Sequence, residues 1–567
     1  MKRLALGALL AFALLASCGE ERSPGAAGAP RSAPVPALAA PADPSRAVPP
    51  PEPAYAGAAR CAGCHAAEAA AWRGSHHDRA MEEASEASVE GDFDDATFAR
   101  AGVVSRFFRR DGRYRVETEG AGGEPATFEV AWTFGVDPLQ QYLVRVPGGG
   151  VQALDVAWDA RPREAGGQRW FALHPDEHIP PGDVLHWTGP ALRWNRQCAD
   201  CHSTDLRRGY DLARDRYDTT WAELDVACEA CHGPGAAHVA WAEAAGRGEP
   251  GGAGRSLPAR FPPVRPGDWV LDPGAPIARL RAPRGERTEL ETCAPCHARR
   301  TRLREGSRPG EPFLDAFRPA LLEEGLYEAD GQMRDEVYVY GSFLQSRMHA
   351  AGVTCSDCHD PHSLRRRAEG NALCGGCHRA EVFDVPAHHH HAAGSPGARC
   401  VACHMPARTY MVVDVRHDHS FRVPRPDLSA AIGTPNTCND CHAERSPAWA
   451  AEAVARWFPA GRRGTPHYGE ALAAGRAGLP GADARLTALA GDPSVPAIAR
   501  ATALSLLERP GAAALRRAAA DPDPLVRLGA LEAAARAAPA ERLGALQPRL
   551  RDPRLAVRSE AGRALAD

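Results

Sequence analysis

One five-residue pattern, Cys-x-x-Cys-His, occurs eight times along the 567-residue chain. Two thiols separated by two residues match the spacing of the two vinyl groups of a haem, and the adjacent histidine then lies under the iron as proximal ligand. The pattern therefore predicts eight covalently attached haems c, on motifs numbered 1 to 8 in chain order. The predicted thioether cysteines are Cys61, Cys64, Cys198, Cys201, Cys228, Cys231, Cys293, Cys296, Cys355, Cys358, Cys374, Cys377, Cys400, Cys403, Cys438 and Cys441. The predicted proximal ligands are His65, His202, His232, His297, His359, His378, His404 and His442.

Other uses of paired cysteines predict different patterns. Composition alone would give about 0.02 copies of this motif by chance. Zinc knuckles combine two CxxC units into one four-ligand set and need no histidine after each unit. A thioredoxin-like redox centre needs a single CxxC in a βαβ setting, and disulfide frameworks do not repeat one five-residue word. The sequence therefore favours haem attachment.

The sequence offers several candidates for the sixth ligand of each iron. The motifs use eight of the 23 histidines. A second histidine would give a low-spin iron suited to electron transfer, whereas an open position could bind substrate. Candidates near the motifs are His76, His77, His238, His349, His362, His389, His390 and His419. His389 and His390 belong to the run His388–His391, which could also be a loose metal-binding tract. His417 is an alternative to His419, and His174, His178, His186, Met81, Met348 and Met405 are weaker candidates, because such residues more often serve packing.

The seventeenth cysteine follows a segment that resembles an export signal. Lys2 and Arg3 precede an apolar stretch that is too short to span a membrane, and Leu15-Ala16-Ser17-Cys18 resembles a bacterial lipobox. We therefore expect residues 1–18 to be a lipoprotein signal peptide that leaves Cys18 acylated. The alternative is an ordinary signal peptide with a chance cysteine. Either reading predicts a location in the envelope of a Gram-negative bacterium, periplasm-facing or on the outer membrane.

The rest of the chain divides by composition. Residues 19–55 are rich in Ala and Pro and predict a tether. Residues 56–445 hold the motifs, and we expect a mainly α fold with little regular secondary structure around stacked haems. Alternating runs such as VVSRFFRRDGRYRVETEG predict a β-rich insertion over residues 100–190, between motifs 1 and 2. The net charge of −4 gives no indication of nucleic-acid binding.

Residues 446–567 lack cysteine after motif 8 and are rich in Ala, Leu and Arg. Asp-Pro pairs at 492, 521 and 552 recur at spacings of 29 and 31 residues, each before a helical apolar pattern. A period near 30 predicts an α-solenoid of HEAT-like repeats that could dock a protein partner. The alternative is a plain helical bundle.

The sequence also resembles a known family. Stretches such as TFGVDPLQQYLVRVPGG, CEACHGPGAAHVAW and CSDCHDPHS resemble the multihaem family built from cytochrome c-554-like and doubled-CxxCH modules, related to the octahaem oxidoreductases. The resemblance covers roughly residues 55–445. The resemblance implies haem binding and electron transfer. We expect the partners to be other envelope redox proteins or quinol-linked donors, with the lipid anchor holding the chain at the membrane.

Enzyme relatives of this family give a second hypothesis. Lysine-ligated designs, as in ammonia-forming nitrite reductases and octahaem tetrathionate reductases, are excluded because Lys2 is the only lysine. A hydroxylamine-oxidoreductase-like haem needs a tyrosine, for which Tyr338, Tyr340 and Tyr410 are available, although packing is the expected role of each. The leading prediction is therefore an electron carrier. The alternative is an oxidoreductase with one open-site haem acting on a small nitrogen or sulfur compound, and a third hypothesis is a polymerising scaffold.

Overall fold

The computed structural model describes residues 54–249, 257–261, 264–265, 267–285, 288–459 and 466–566. The predicted signal peptide, Cys18 and nearly all of the predicted tether lie outside these described residues. No helix within the described ranges is long and apolar enough to cross a lipid bilayer.

A nine-stranded antiparallel sheet fills the stretch between motifs 1 and 2. Its strands are β1 Met81–Glu83, β2 Asp94–Arg100, β3 Val103–Arg110, β4 Arg113–Glu119, β5 Pro125–Phe134, β6 Leu139–Val146, β7 Gly150–Ala153, β8 Val156–Asp159 and β9 Arg169–Ala172. The order is β2-β3-β4-β5-β6-β8-β9, with β1 paired to β5 and β7 paired to β6. The end strands β2 and β9 also contact each other, so the sheet curls toward a barrel.

The two faces of the sheet serve different purposes. Alternating residues of the strands place Phe107, Tyr142 and Trp170 on the inner face, where Phe107 stacks on Trp170 with ring centroids 3.6 Å apart. On the other face, Trp132 and its neighbours pack against Trp194 beside motif 2. The sheet therefore has an aromatic core of its own and also supports one haem-attachment motif.

The prediction of a mainly α fold is wrong. Helices account for 38% of the residues and strands for 18%, and the largest single element is the sheet. The reason is physical: a strand can bury an aromatic side chain on every second residue. The long segment between motifs 1 and 2 therefore forms a hydrophobic core of its own, rather than a small insertion in a helical fold built around haems.

The motif-bearing segments are short helices and hairpins. Within the described ranges the helices up to motif 8 are α1 Ala58–Ala62, α2 Ala66–Trp72, α3 Trp194–Gln197, α4 Cys228–His232, α5 Ala236–Gly246, α6 Thr288–His297, α7 Tyr340–Phe343, α8 Arg347–Ala350, α9 Asn371–Gly375, α10 Ala380–Phe383, α11 Pro386–His389, α12 Cys400–His404, α13 Pro426–Ile432 and α14 Thr437–Cys441. The two-stranded sheets pair β10 Tyr210–Asp211 with β11 Arg216–Tyr217, β12 Trp269–Val270 with β13 Arg279–Leu280, β14 Arg300–Arg302 with β15 Phe317–Pro319, and β16 Ala407–Tyr410 with β17 Asp414–His417.

The C-terminal region is helical. Its helices are α15 Pro447–Trp457, α16 Tyr468–Arg476, α17 Ala482–Gly491, α18 Ala497–Ser505, α19 Ala512–Ala519, α20 Pro524–Ala534, α21 Pro539–Leu546 and α22 Leu555–Ala566. Its core is continuous with the segment that follows motif 4, where Phe313, Phe317 and Leu322 pack with Ile498 and Leu504. This region therefore does not have a separate core.

Candidate functional site

Each motif occupies a single helical turn. In motif 1 the amide of His65 donates to the carbonyl of Cys61 over 2.9 Å, and in motif 6 the amide of His378 donates to Cys374 over 2.9 Å. Residues three and four apart lie on the same face of a turn. The turn therefore presents both thiols and the imidazole in one direction, as attachment of one macrocycle requires.

Five proximal imidazoles face a second imidazole at a characteristic separation. Two imidazoles bound to opposite sides of one iron keep their centroids about 6 to 6.5 Å apart, because each metal–nitrogen bond is about 2 Å and each centroid lies about 1 Å further. The observed separations are 6.4 Å for His65 and His238, 6.4 Å for His232 and His362, 6.3 Å for His297 and His77, 6.2 Å for His404 and His388, and 6.4 Å for His442 and His391. The donor sets fit bis-histidine haem iron on motifs 1, 3, 4, 7 and 8.

The candidate distal ligands fall into groups. His77, His238 and His362 each face a proximal imidazole, whereas neighbouring His76 faces none among the described residues. In the histidine run the sequence singled out His389 and His390. The structure instead turns the two flanking residues, at positions 388 and 391, toward motifs 7 and 8.

The reason lies in the local backbone. Helix α11 begins at Pro386 and ends at His389, and His390 then adopts a left-handed conformation with φ of 55°. The reversal sends His390 onto the ring of Trp457, 4.2 Å away, and returns His391 to the haem side. The sequence contains a signal for this helix, because Pro386 stands two residues before the run and proline is common at the first position of a helix. This signal could have pointed to His388 as a ligand candidate.

His419 and His349 belong near other motifs. His419 is partly buried, and burial together with His359 of motif 5 lowers its pKa. His297 of motif 4 lies within electrostatic reach of the same ring, so His419 lies near motifs 4 and 5. His349 lies in helix α8 before motif 5 and packs against Phe343, with ring centroids 5.3 Å apart.

Motifs 2, 5 and 6 show no such imidazole pair among the described residues, and motif 2 has its own surroundings. Its histidine, His202, donates from Nδ1 to the carbonyl of Ala80 over 2.8 Å and packs edge-on against Phe134. Among the described residues no imidazole stacks across from His202 at the separation found for the other five motifs. Tyr338 lies within electrostatic reach of both thiols, Cys198 and Cys201. Tyr338 also has a left-handed backbone with φ of 59°, which is costly for a bulky residue.

The weaker candidates have structural roles. Met81 is buried between the sheet and motif 2, and His186 is buried with Nδ1 2.8 Å from the hydroxyl of Thr188. Tyr340 packs in the core with Phe313, and Tyr410 lies beside Arg416.

A cavity of about 2890 Å³ runs through the motif region. It is lined by cysteines and histidines of motifs 1, 3, 4, 5, 6, 7 and 8, together with apolar side chains such as Leu290, Phe343 and Trp457. Apolar walls around convergent histidines are typical of a cofactor site. The residues present therefore fit a set of large apolar macrocycles.

Thiols of different motifs meet inside this region. Contacts between thiols join motif 1 to 3 (Cys61 and Cys228), motif 2 to 4 (Cys201 and Cys296), motif 4 to 5 (Cys293 and Cys355) and motif 6 to 7 (Cys374 and Cys400). Weaker electrostatic neighbours join motif 3 to 4 (Cys231 and Cys293), motif 5 to 6 (Cys358 and Cys377) and motif 7 to 8 (Cys403 and Cys441). The motifs thus follow the order 1-3-4-5-6-7-8, with motif 2 joined at motif 4.

The protonation state of the imidazoles suits iron binding. Burial lowers the pKa of the proximal residues His202, His232 and His378, and it lowers the pKa of distal His77 to about 4. A histidine binds metal as the neutral imidazole. A backbone carbonyl lies 2.6 Å from Nδ1 of His404, which leaves Nε2 of that ring to face the cavity.

Two family models match parts of the chain. The model described as cytochrome c554 and c-prime matches residues 60–99 and 186–233, and the model described as doubled CXXCH motif matches residues 349–383. No curated protein matches the sequence. Among solved structures, the outer cell wall cytochrome OcwA is similar over 89% of this chain and 99% of its own, with 17% identity and a TM-score of 0.45.

Proposed function

Because its motifs and the two family matches make this chain a multihaem c-type cytochrome with covalently bound haem c, we propose that it carries eight haems and conducts electrons between two redox partners. Bound haem iron would supply one-electron chemistry between its ferric and ferrous states. The single observation that supports a conduit is the unbroken series of close approaches between motifs, four through touching thiols and three through weaker electrostatic neighbours.

The protein contributes short distances and fixed ligands. Neighbouring motifs touch through their thiols, so the edges of adjacent macrocycles are brought together with little polypeptide between them. Imidazole pairs on five motifs would fill both axial positions of a bound haem iron and leave no place there for a substrate. Saturated axial sites favour electron transfer over bond-making chemistry.

Two measurements test this function. Mass spectrometry of protein matured in a host that attaches haem c should find the polypeptide heavier by eight haems. Stopped-flow reduction should then show electrons given to one end of the chain spreading to all haems within the dead time. A mass with fewer than eight haems would contradict the count, and one subset of haems that stays oxidised would contradict the conduit.

Motif 2 supports a second candidate function, an oxidoreductase with an open-site haem acting on a small nitrogen or sulfur compound. The observation in its favour is that Tyr338 approaches motif 2, which, like motifs 5 and 6, has no facing imidazole pair among the described residues. Electron paramagnetic resonance discriminates between the two. A high-spin ferric signal that shifts with nitrite, hydroxylamine or sulfite supports the enzyme, and entirely low-spin irons support the conduit alone.

We further propose that Cys18 carries a lipid, which would hold the protein in the cell envelope, and that the partners are other envelope redox proteins or quinol-linked donors. The lipobox-like sequence before Cys18 supports the anchor. Replacing Cys18 by serine should move the protein from the membrane fraction to the soluble fraction without changing its haem absorbance. Equal membrane retention of both forms would refute the anchor.

For the C-terminal helices we propose a HEAT-like repeat arrangement that docks a protein partner. Its support is a repeated ion pair: Arg500 of α18 donates to Asp521, and Arg527 of α20 donates to Asp552 over 2.8 Å. Arginines of alternate helices thus reach the next Asp-Pro turn. A repeating link between neighbouring units is typical of a solenoid. Co-purification of a redox partner with the full chain, but not with a chain carrying charge reversals on the exposed surface of α19 and α21, tests the docking.

A further inference from the structure

A buried ionic cluster at the contact between motifs 2 and 4 contains more cations than anions. Asp200, which lies between the two cysteines of motif 2, has a side chain only 4% exposed. Three guanidinium groups surround its carboxylate: Arg208 at 3.0 Å, Arg300 at 3.3 Å and Arg302 at 2.5 Å. These four residues, the Asp200 cluster, carry a net charge of two positive units.

The excess charge is not neutralised nearby. The side chains of Arg300 and Arg302 are 10% and 11% exposed, so solvent screens them weakly. Within the described part of the chain, Nε and Nη1 of Arg302 and Nε of Arg208 are buried without a hydrogen-bond partner. Among the described residues, Glu305 is a further carboxylate that acts on Arg302, and it is exposed. Glu336, which acts on Cys198 of motif 2, is already paired with Arg416. The cluster therefore keeps an uncompensated positive field in a region of low dielectric.

The same cluster touches the attachment points of both motifs. The Nη2 atom of Arg300 lies 3.7 Å from the sulfur of Cys201, and the sulfur of Cys296 lies 3.8 Å from the backbone carbonyl oxygen of Asp200. A further hydrogen bond joins Arg300 Nε to the carbonyl of Pro295 in motif 4 over 2.5 Å. Each thioether sulfur would be bonded to the edge of its macrocycle, so the charges would lie beside both haems.

We propose that the Asp200 cluster raises the reduction potentials of the haems on motifs 2 and 4 and makes this junction the point where electrons collect. An added electron lowers the positive charge at an iron, so a neighbouring cationic field favours the reduced state. Motif 2 also joins the main series of motifs at motif 4. Electrons that accumulate on the haem of motif 4 could therefore pass to the haem of motif 2. The inference rests on the proposed electron-transfer function.

A purely structural role would predict something different. Asp200 also ties Arg300 and Arg302 of strand β14 to motif 2, so any change in the cluster could alter stability. Removing an arginine and removing the aspartate would then both destabilise the protein. Only an electrostatic role gives shifts of opposite sign in the two cases.

The test compares Arg302→Gln with Asp200→Asn in the full, haem-loaded protein by spectroelectrochemical titration. Arg302→Gln should lower the highest potentials, so that the ratio of oxidised to reduced haem at a fixed potential rises about tenfold, equivalent to about 59 mV. Asp200→Asn should shift the same haems by a similar amount in the opposite direction. Arg527→Gln, which breaks a buried Arg–Asp pair in the C-terminal helices, is the matched control and should leave every potential unchanged.

Opposite shifts with full haem content support the electrostatic role. Shifts of the same sign, or none, with full haem content overturn it. If Arg302→Gln loses haem, Arg208→Gln takes its place in the comparison. The potentials of Arg208→Gln should also be lowered, and the same comparison with Asp200→Asn applies. A wild-type protein without haem would contradict the proposed function itself, which the haem absorbance reports separately.

Discussion

At the scale of single residues, the histidine run after motif 6 gives the sharpest test of ligand assignment. His388 faces the proximal His404 at 6.2 Å with rings only 11° from parallel, whereas His390 stacks on Trp457. We expect His388→Ala to convert one haem from low spin to high spin, because its iron loses an axial nitrogen. His390→Ala is the matched control and should keep the wild-type spectrum. Magnetic circular dichroism measures both, and a low-spin spectrum in His388→Ala would contradict the assignment.

A second residue-scale prediction concerns pH. Burial, reinforced by Glu223 and Asp78, raises the pKa of Asp225 from 3.8 to about 7. The folded state therefore holds this proton more tightly than the unfolded state. The stability that Asp225 contributes is complete below about pH 3.8 and is lost as the pH rises through about 7. Calorimetry should show a midpoint that falls over this window, and a flatter profile in Asp225→Asn.

The control for this effect is an exposed aspartate. Asp95 on strand β2 has its pKa lowered by a hydrogen bond from Arg106, so Asp95→Asn should not flatten the profile in that window. Identical pH profiles for wild type and Asp225→Asn would show that Asp225 titrates normally.

At the scale of elements, the sheet is the part that sequence reasoning partly anticipated. Alternating patterns in strands β3 and β4 are visible in the sequence because one face of each strand is buried and the other is exposed. Strands β6 to β8 are buried almost throughout, so their periodicity gives no sign of which face meets motif 2. The chain also gives no local signal that the sheet would outweigh the helical turns around it.

The sheet core can be tested on one strand. Phe107 on β3 is fully buried and stacks on Trp170, while Val104 on the same strand is 59% exposed. We expect Phe107→Ala to lower the free energy of unfolding by about 3–5 kcal/mol through lost burial and a cavity. Val104→Ala should change it by less than about 0.5 kcal/mol. Denaturant titration measures both, and equal effects would show that the sheet has no packed core.

At the scale of the whole molecule, the motifs and the chain order could be read from the sequence, but the way in which distant segments join could not. The CxxCH spacing is local, since one helical turn contains the whole unit. The join between motif 4 and the C-terminal helices depends on contacts between distant residues. For example, the amide of Leu322 donates to the hydroxyl of Thr502, 180 residues further along the chain, over 3.0 Å. The apolar patterns show that both segments have buried faces, but they do not show that these two faces pack against each other.

This shared core predicts that the C-terminal helices are required for the cytochrome to fold. A chain shortened to end at Pro459 would expose Phe317, Leu321 and Leu322, each of which is 3% exposed or less in the full protein. Each such side chain contributes about 1.5–3 kcal/mol when buried, so the loss exceeds the stability of an ordinary domain once its neighbours are included. We expect the shortened chain to aggregate and to lack haem absorbance in the soluble fraction.

The control for this truncation leaves the apolar contact in place. Arg318→Ala removes the ion pairs from this segment to Glu532 and Glu560 of helices α20 and α22, and its side chain is about one-third exposed. Glu560 keeps a second partner in Arg563, and the apolar side chains of this segment stay buried. This variant should therefore remain soluble with the full haem spectrum. A soluble, fully haem-loaded shortened chain would show instead that the segment after motif 4 can close its core without the C-terminal helices.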